Sequence, residues 1–127
     1  MDNELLVRFL KRVINVTTDW NLNKTFITLP YSYESLIELL SCISKNKNHF
    51  SHYDFAQWCD NFTIVCEETE IAPIIENAFV VARDIECQWD LFLGNSYPLE
   101  ELQNMDLSKV KLPQEWYIQW LERLKEK

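Results

Sequence analysis

The chain has 127 residues, 47% of them hydrophobic and 25% charged, with one glycine and four prolines. That is the length of one domain with enough apolar material for a core, and it excludes a disordered tail or a low-complexity segment. Twelve lysines and arginines stand against twenty aspartates and glutamates, a formal net charge of −8, which argues against nucleic acid or an anionic membrane as a direct ligand, because both call for a cationic surface.

In chain order, residues 3–16 place Leu6, Phe9, Leu10 and Val13 on one face of a first helix. This opening stretch is charged throughout and lacks the continuous apolar segment of a secretory leader; no run in the chain reaches the length of a membrane span. The expected location is the cytoplasm. Residues 17–30, TTDWNLNKTFITLP, then lose the helical period. TFITL has β-propensity, but no partner strand is evident, which predicts a short extended connector ended by Pro30.

Ser32 is the expected N-cap of a helix over 33–45 with Tyr33, Leu36, Ile37, Leu40 and Ile43 on its stripe. After a polar loop, Ser51 and Asp54 stand in a capping-box-like relation. The helix they open carries Phe55, Trp58, Cys59, Phe62, Val65 and Cys66 inward, with Asp54, Asp60, Asn61 and Glu67 expected in water. Pro73 suits the first turn of a helix over 72–90, whose core face is Ile74, Ile75, Ala78, Ala82, Ile85 and Trp89. Phe79, Val80 and Val81 widen its apolar surface, which predicts a central place in the bundle. LGNSYP, with the only glycine, Gly94, predicts a break. A short helix near 98–105 and a last helix from Pro113, aligning Tyr117, Trp120, Leu121 and Leu124, complete the chain. The expected fold is all-α: a single domain over 1–127, a helical bundle of about five helices with a connector near 24–29.

Few residue patterns point to chemistry. One glycine rules out a glycine-rich phosphate loop. His49 and His52, the only histidines, have no evident nucleophile partner. His49, His52, Cys59 and Cys66 fall within eighteen residues, but the two cysteines lie seven apart on an apolar stripe and not in the close pair that a zinc knuckle needs. No metal, cofactor or catalytic residue is assigned. Cys42, Cys59, Cys66 and Cys87 are expected as free thiols, and the sequons at Asn15, Asn23 and Asn61 as chance occurrences in an Asn-rich chain.

The charge distribution is the unusual feature. From Asn48 to Ser108 there are twelve carboxylates and one basic residue, Arg83. Residues 1–47 hold six basic and five acidic residues, and residues 109–127 five and three. A one-signed field of this kind steers a cationic partner, and aromatic residues among the acids add affinity. The expected partner-binding residues are Glu67, Glu68, Glu70, Asp84, Glu86 and Asp90, with Tyr53, Trp89, Phe92 and Tyr97 as aromatic candidates. A nuclease is an evident cationic partner, since its own groove must hold phosphates.

The runs FSHYDFAQWCDNF, IIENAFVVARDIE and EWYIQWLERL, within residues 50–127, resemble small helical bacterial immunity proteins of polymorphic or contact-dependent growth-inhibition toxin systems. The resemblance implies a non-enzymatic antidote in the cytoplasm that binds a cognate toxin domain, often a nuclease, and blocks its active site or a required surface. Three other readings make distinct demands. A phage- or plasmid-borne acidic inhibitor of a host nucleic-acid-binding defence protein would use the same surface. A small hydrolase with paired carboxylates needs a deep pocket with perturbed acids, and a structural subunit needs an exposed apolar patch on the Phe79–Val81 side of its helix.

Overall fold

The computed structural model describes residues 22–68 and 73–125, with the backbone alone for 73–75. The expected helix over 3–16, Glu70 and the Asn15 sequon lie outside these residues. Among the described residues there are five α-helices and no strand: α1 (Tyr33–Ser44), α2 (His52–Glu68), α3 (Pro73–Ser96), α4 (Leu99–Asn104) and α5 (Gln114–Lys125), with one 3-10 turn at Leu107–Lys109. The fold is an all-α bundle.

Local signals set most of the boundaries. The Ser32 side chain accepts from the Ser35 backbone N–H and opens α1. Asn46, at φ 61°, takes the left-handed position just past its end, where asparagine substitutes for glycine. At α2, the Asp54 N–H donates to Ser51 Oγ at 2.9 Å, and the Ser51 hydroxyl donates back to Asp54 Oδ2 at 3.0 Å. The box therefore closes through the serine hydroxyl and not through its backbone N–H. Pro73 opens α3 as expected.

Gly94 does not break α3, which continues to Ser96. A glycine in a helix costs about 1 kcal/mol, and the turn around it buries Leu93 and half-buries Phe92. Pro98, which cannot continue a helix, follows two residues after the end of α3 and sits at the N-cap of α4.

The core is built from Leu36, Leu40 and Ile43 of α1, Phe55, Trp58, Cys59 and Phe62 of α2, Ala78, Val81, Ala82, Ile85 and Trp89 of α3, and Tyr117, Trp120 and Leu124 of α5. Fully burying one large apolar side chain contributes about 1.5–3 kcal/mol. The α3 helix packs against α2, α5 and α1, and α1 against α5. The most enclosed helix, however, is α2 and not α3: every residue from Trp58 to Ile64 is buried. Its apolar stripe accounts for one side; the polar residues Asp60, Asn61 and Thr63 are buried on the others.

That corrects the expectation that Asp54, Asp60 and Asn61 point into water. Asp54, Trp58 and Asn61 follow a four-then-three spacing, so they form one row along α2, and that row fastens the connector. Asn61 bonds Asn23, Thr25 Oγ1 and the Phe26 N–H meet Asp54, Trp58 Nε1 donates to Leu29 O, and Asn61 Nδ2 donates to the Tyr31 hydroxyl. The chain thus runs from the middle of α2 toward its start, turns at Phe26 and runs back. The connector is a clasp on α2, and its bend holds Phe26 out at 90% exposure.

Candidate functional site

The expected partner-binding residues do not share one surface. Glu67 is exposed and Glu68 half-buried at the end of α2. On α3 the expectation fails. Glu86 and Asp90 are 4% and 8% exposed, and Trp89 is 2% exposed. Glu86 lies four residues after buried Ala82, Asp90 four after Glu86, and Trp89 four after buried Ile85. All three therefore lie on inward rows. Charge alone points the two acids to solvent; helical spacing sends them inside, Glu86 near buried Cys59, whose thiol is raised by burial and then by Glu86 and Asp60. The Cys87 thiol, raised by burial and by the carboxylate of Glu86, donates to Glu86 Oε1 at 3.6 Å. All four cysteines are free thiols, Cys59 and Cys66 buried and Cys42 and Cys87 half-buried.

Asp84 is nearer the surface, but it is occupied. Its Oδ2 accepts from Trp120 Nε1 at 2.8 Å and from Arg123 Nη1 at 2.7 Å. A cation from the terminal helix thus cancels one carboxylate of the central segment. The end of α5 also docks beside the start of α3, where Asn77 Nδ2 donates to Arg123 O at 3.0 Å. Of the aromatic candidates, Trp89 is core. Tyr53, half-buried, stacks on it with centroids 5.9 Å apart, and Phe92 meets Trp116 edge to face. Tyr97 is half-buried just beyond α3.

His52 ties α2 to the segment before α5. Its Nδ1 accepts from the Leu112 N–H at 2.9 Å and lies 3.0 Å from the Tyr117 hydroxyl. Since a backbone N–H can only donate, Nδ1 is unprotonated and the neutral ring carries its proton on Nε2. Burial, followed by the charge of Lys111, lowers the pKa to about 4. Burial and then Cys59 push the Tyr117 phenol up. Among the described residues, no three histidine, cysteine or acidic side chains are grouped to hold a metal ion.

The side chains that do converge on a concave surface lie at the bend of the connector. A groove of about 750 Å³ is walled by residues 23–27 and Tyr31 on one side and by Tyr53, Asp54, Asp106 and Ser108 on the other. Asp106 Oδ1 accepts from the Ser108 N–H at 3.1 Å and its hydroxyl at 2.6 Å; those two bonds hold its carboxyl below the usual range, so it is charged at neutral pH. Asp54 is fixed by Ser51 and by the connector. Lys24 supplies one opposing charge. On its far side, Phe26 also walls a second, more apolar hollow of about 340 Å³, with Leu39, Cys42 and Phe50.

Only Tyr53 of this groove was among the expected contact residues. Phe26 and Asp106 were missed because one sits in a segment read as a mere linker and the other in a short turn. The available signal was a large aromatic residue in a stretch without helical period, where no apolar stripe assigns it to a core.

The Phe79–Val81 side of α3 does not form the apolar patch that a structural subunit needs. Val81 is fully buried, Val80 is 46% exposed, and the Arg83 guanidinium lies 6.0 Å from the Phe79 ring centroid. No helix among the described residues is long and apolar enough to cross a membrane. No protein-family model matches the chain, and no curated protein or solved structure does either.

Proposed function

We propose that this protein is a non-enzymatic immunity protein that binds a basic toxin domain, a nuclease foremost, and neutralises it by covering its cationic surface. The observation that carries this reading is the unbalanced charge of the middle segment. Folding buries Asp60, Glu86 and Asp90 and pairs Asp84, yet Glu67, Glu68, Glu76, Glu100, Glu101 and Asp106 remain at the surface, against one basic residue between positions 48 and 108. Unbalanced surface charge of this sign favours encounter with a cationic protein and disfavours nucleic acid.

The contact set differs from the one first expected. Glu67 and Glu68 keep their place in it, and Tyr53 keeps its place through the groove. Glu86, Asp90 and Trp89 leave it, and Asp84 acts within the fold. Exposed charge contributes rate more than affinity, so an aromatic anchor is needed beside it; Phe26 and Tyr53 meet that need. Co-expression with a neighbouring toxin gene tests the reading. Protection of the cells and co-purification of the two products are the expected outcomes, and full toxicity with no complex would overturn it.

A further inference from the structure

From the groove at the bend of the connector we infer the chemistry of the partner segment: an arginine side chain presented by the cationic partner, seated between Phe26, Tyr31 and Tyr53 with Asp106 and Asp54 beneath it. This rests on the cationic-partner reading and adds a position and a residue type to it.

Three observations converge there. First, Phe26 is 90% exposed although its backbone is held by Asp54. An anchored backbone with a free aromatic side chain loses little entropy when a partner covers the ring. Second, the rings of Tyr31 and Tyr53 wall the same groove, and each is fixed from behind. Tyr31 lies against Trp58 at 5.3 Å and accepts from Asn61, while Tyr53 stacks on Trp89. Third, the two carboxylates outnumber the single cation, Lys24. Asp106 is bound by Ser108 through Oδ1 only, which leaves Oδ2 for an incoming donor.

Aromatic faces with a carboxylate at the edge suit a guanidinium better than an ammonium. The guanidinium is planar, stacks on rings and offers paired donors, whereas an ammonium holds its water more strongly. A volume of about 750 Å³ lies within the ordinary range of ligand clefts, about 300–1,000 Å³, so the arginine would enter with part of its own chain.

The test is a titration of the labelled protein, followed by the amide signals in NMR, with capped Gly-Arg-Gly-Arg-Gly and its lysine counterpart. The arginine peptide is expected to shift the amides of residues 24–27, 53–54 and 106–108 and to bind several-fold more tightly than the lysine peptide. Phe26→Ala and Asp106→Asn should each weaken it by at least about three-fold, the scale of one exposed contact, and Lys24→Ala should strengthen it. All three positions are exposed or rim residues, so unchanged circular dichroism is expected to accompany each change. Equal binding of the two peptides, indifference to Asp106→Asn, or no shift in the groove would overturn the inference. Shifts gathered around Glu67 and Glu68 would overturn the groove while leaving the cationic partner standing, and loss of toxin protection would remove the partner reading itself.

Discussion

The side-chain amide of Asn61 pairs with both backbone groups of Asn23, as a neighbouring strand would. Asn61 Oδ1 accepts from the Asn23 N–H at 2.7 Å and Nδ2 donates to Asn23 O at 2.9 Å. The Asn23 side chain also donates to Oδ1 at 3.0 Å, and the second Nδ2 hydrogen goes to the Tyr31 hydroxyl at 3.0 Å. All four hydrogen-bonding positions of a fully buried amide are used.

Asn61→Ala should therefore destabilise the fold by about 2–3 kcal/mol, since it unfastens a buried network. Asn61→Asp, although the same shape, should cost at least as much at neutral pH. It turns the donor toward Asn23 O and Tyr31 into an acceptor and buries a charge. Urea unfolding monitored by tryptophan fluorescence measures both. A loss below about 0.5 kcal/mol, the level of an ordinary surface change, would show that the clasp does not bear on stability.

A second prediction concerns acid. His52 titrates at about 4 in the fold and near 6.5 in the unfolded chain, so the unfolded state takes up the proton first as pH falls. Its contribution is complete above pH 6.5, declines from there, and is gone below about 4. From pH 7 to 4.5 the loss is about 2 kcal/mol. His52→Asn keeps an acceptor for the Leu112 N–H but does not titrate, so the gap in stability between wild type and variant should narrow by that amount over the same range. A constant gap would contradict the assigned role of the ring.

Much of the bundle was legible because helical periodicity and capping are local. Ser32, Ser51 and Pro73 each mark a helix start, and in the stripe Tyr117, Trp120, Leu121 and Leu124 all are buried except half-buried Leu121. What was not legible is the second side of α2. Asp54, Asp60 and Asn61 read as solvated because no local rule says that an extended segment thirty residues earlier will fold over them. Glu86 and Asp90 were misplaced by weighing residue type above position. The groove depends on the bend at Phe26, and that bend is set by tertiary hydrogen bonds to Asp54.

Asp84 allows the packing and charge contributions to be separated. Its bond to Trp120 is partly buried, while the Arg123 pair is open, with side-chain exposures of 45% for Arg123 and 35% for Asp84. Asp84→Ala should cost about 1–2 kcal/mol through the lost indole partner, and Arg123→Ala about 0.5 kcal/mol or less. Equal losses would mean that the ion pair, and not the indole bond, fixes α5.

Charge reversal should divide the acids into two groups. Glu67→Lys with Glu68→Lys is expected to cost less stability than reversal of the buried acids and to slow association with a cationic partner at low salt. Glu86→Lys and Asp90→Lys each place the opposite charge in a buried position and should destabilise by about 3 kcal/mol or more. If the buried pair tolerated reversal with full stability, their inward placement on α3 would be wrong.

The most direct measurement is a titration of the purified protein into the partner proposed for it, a basic nuclease domain, with activity recorded at low and at high salt. The account predicts complete inhibition near equal molar amounts, with an association rate that falls as salt rises and falls further for the Glu67→Lys, Glu68→Lys protein. Undiminished nuclease activity in the presence of excess protein, or inhibition indifferent to both salt and charge reversal, would contradict it.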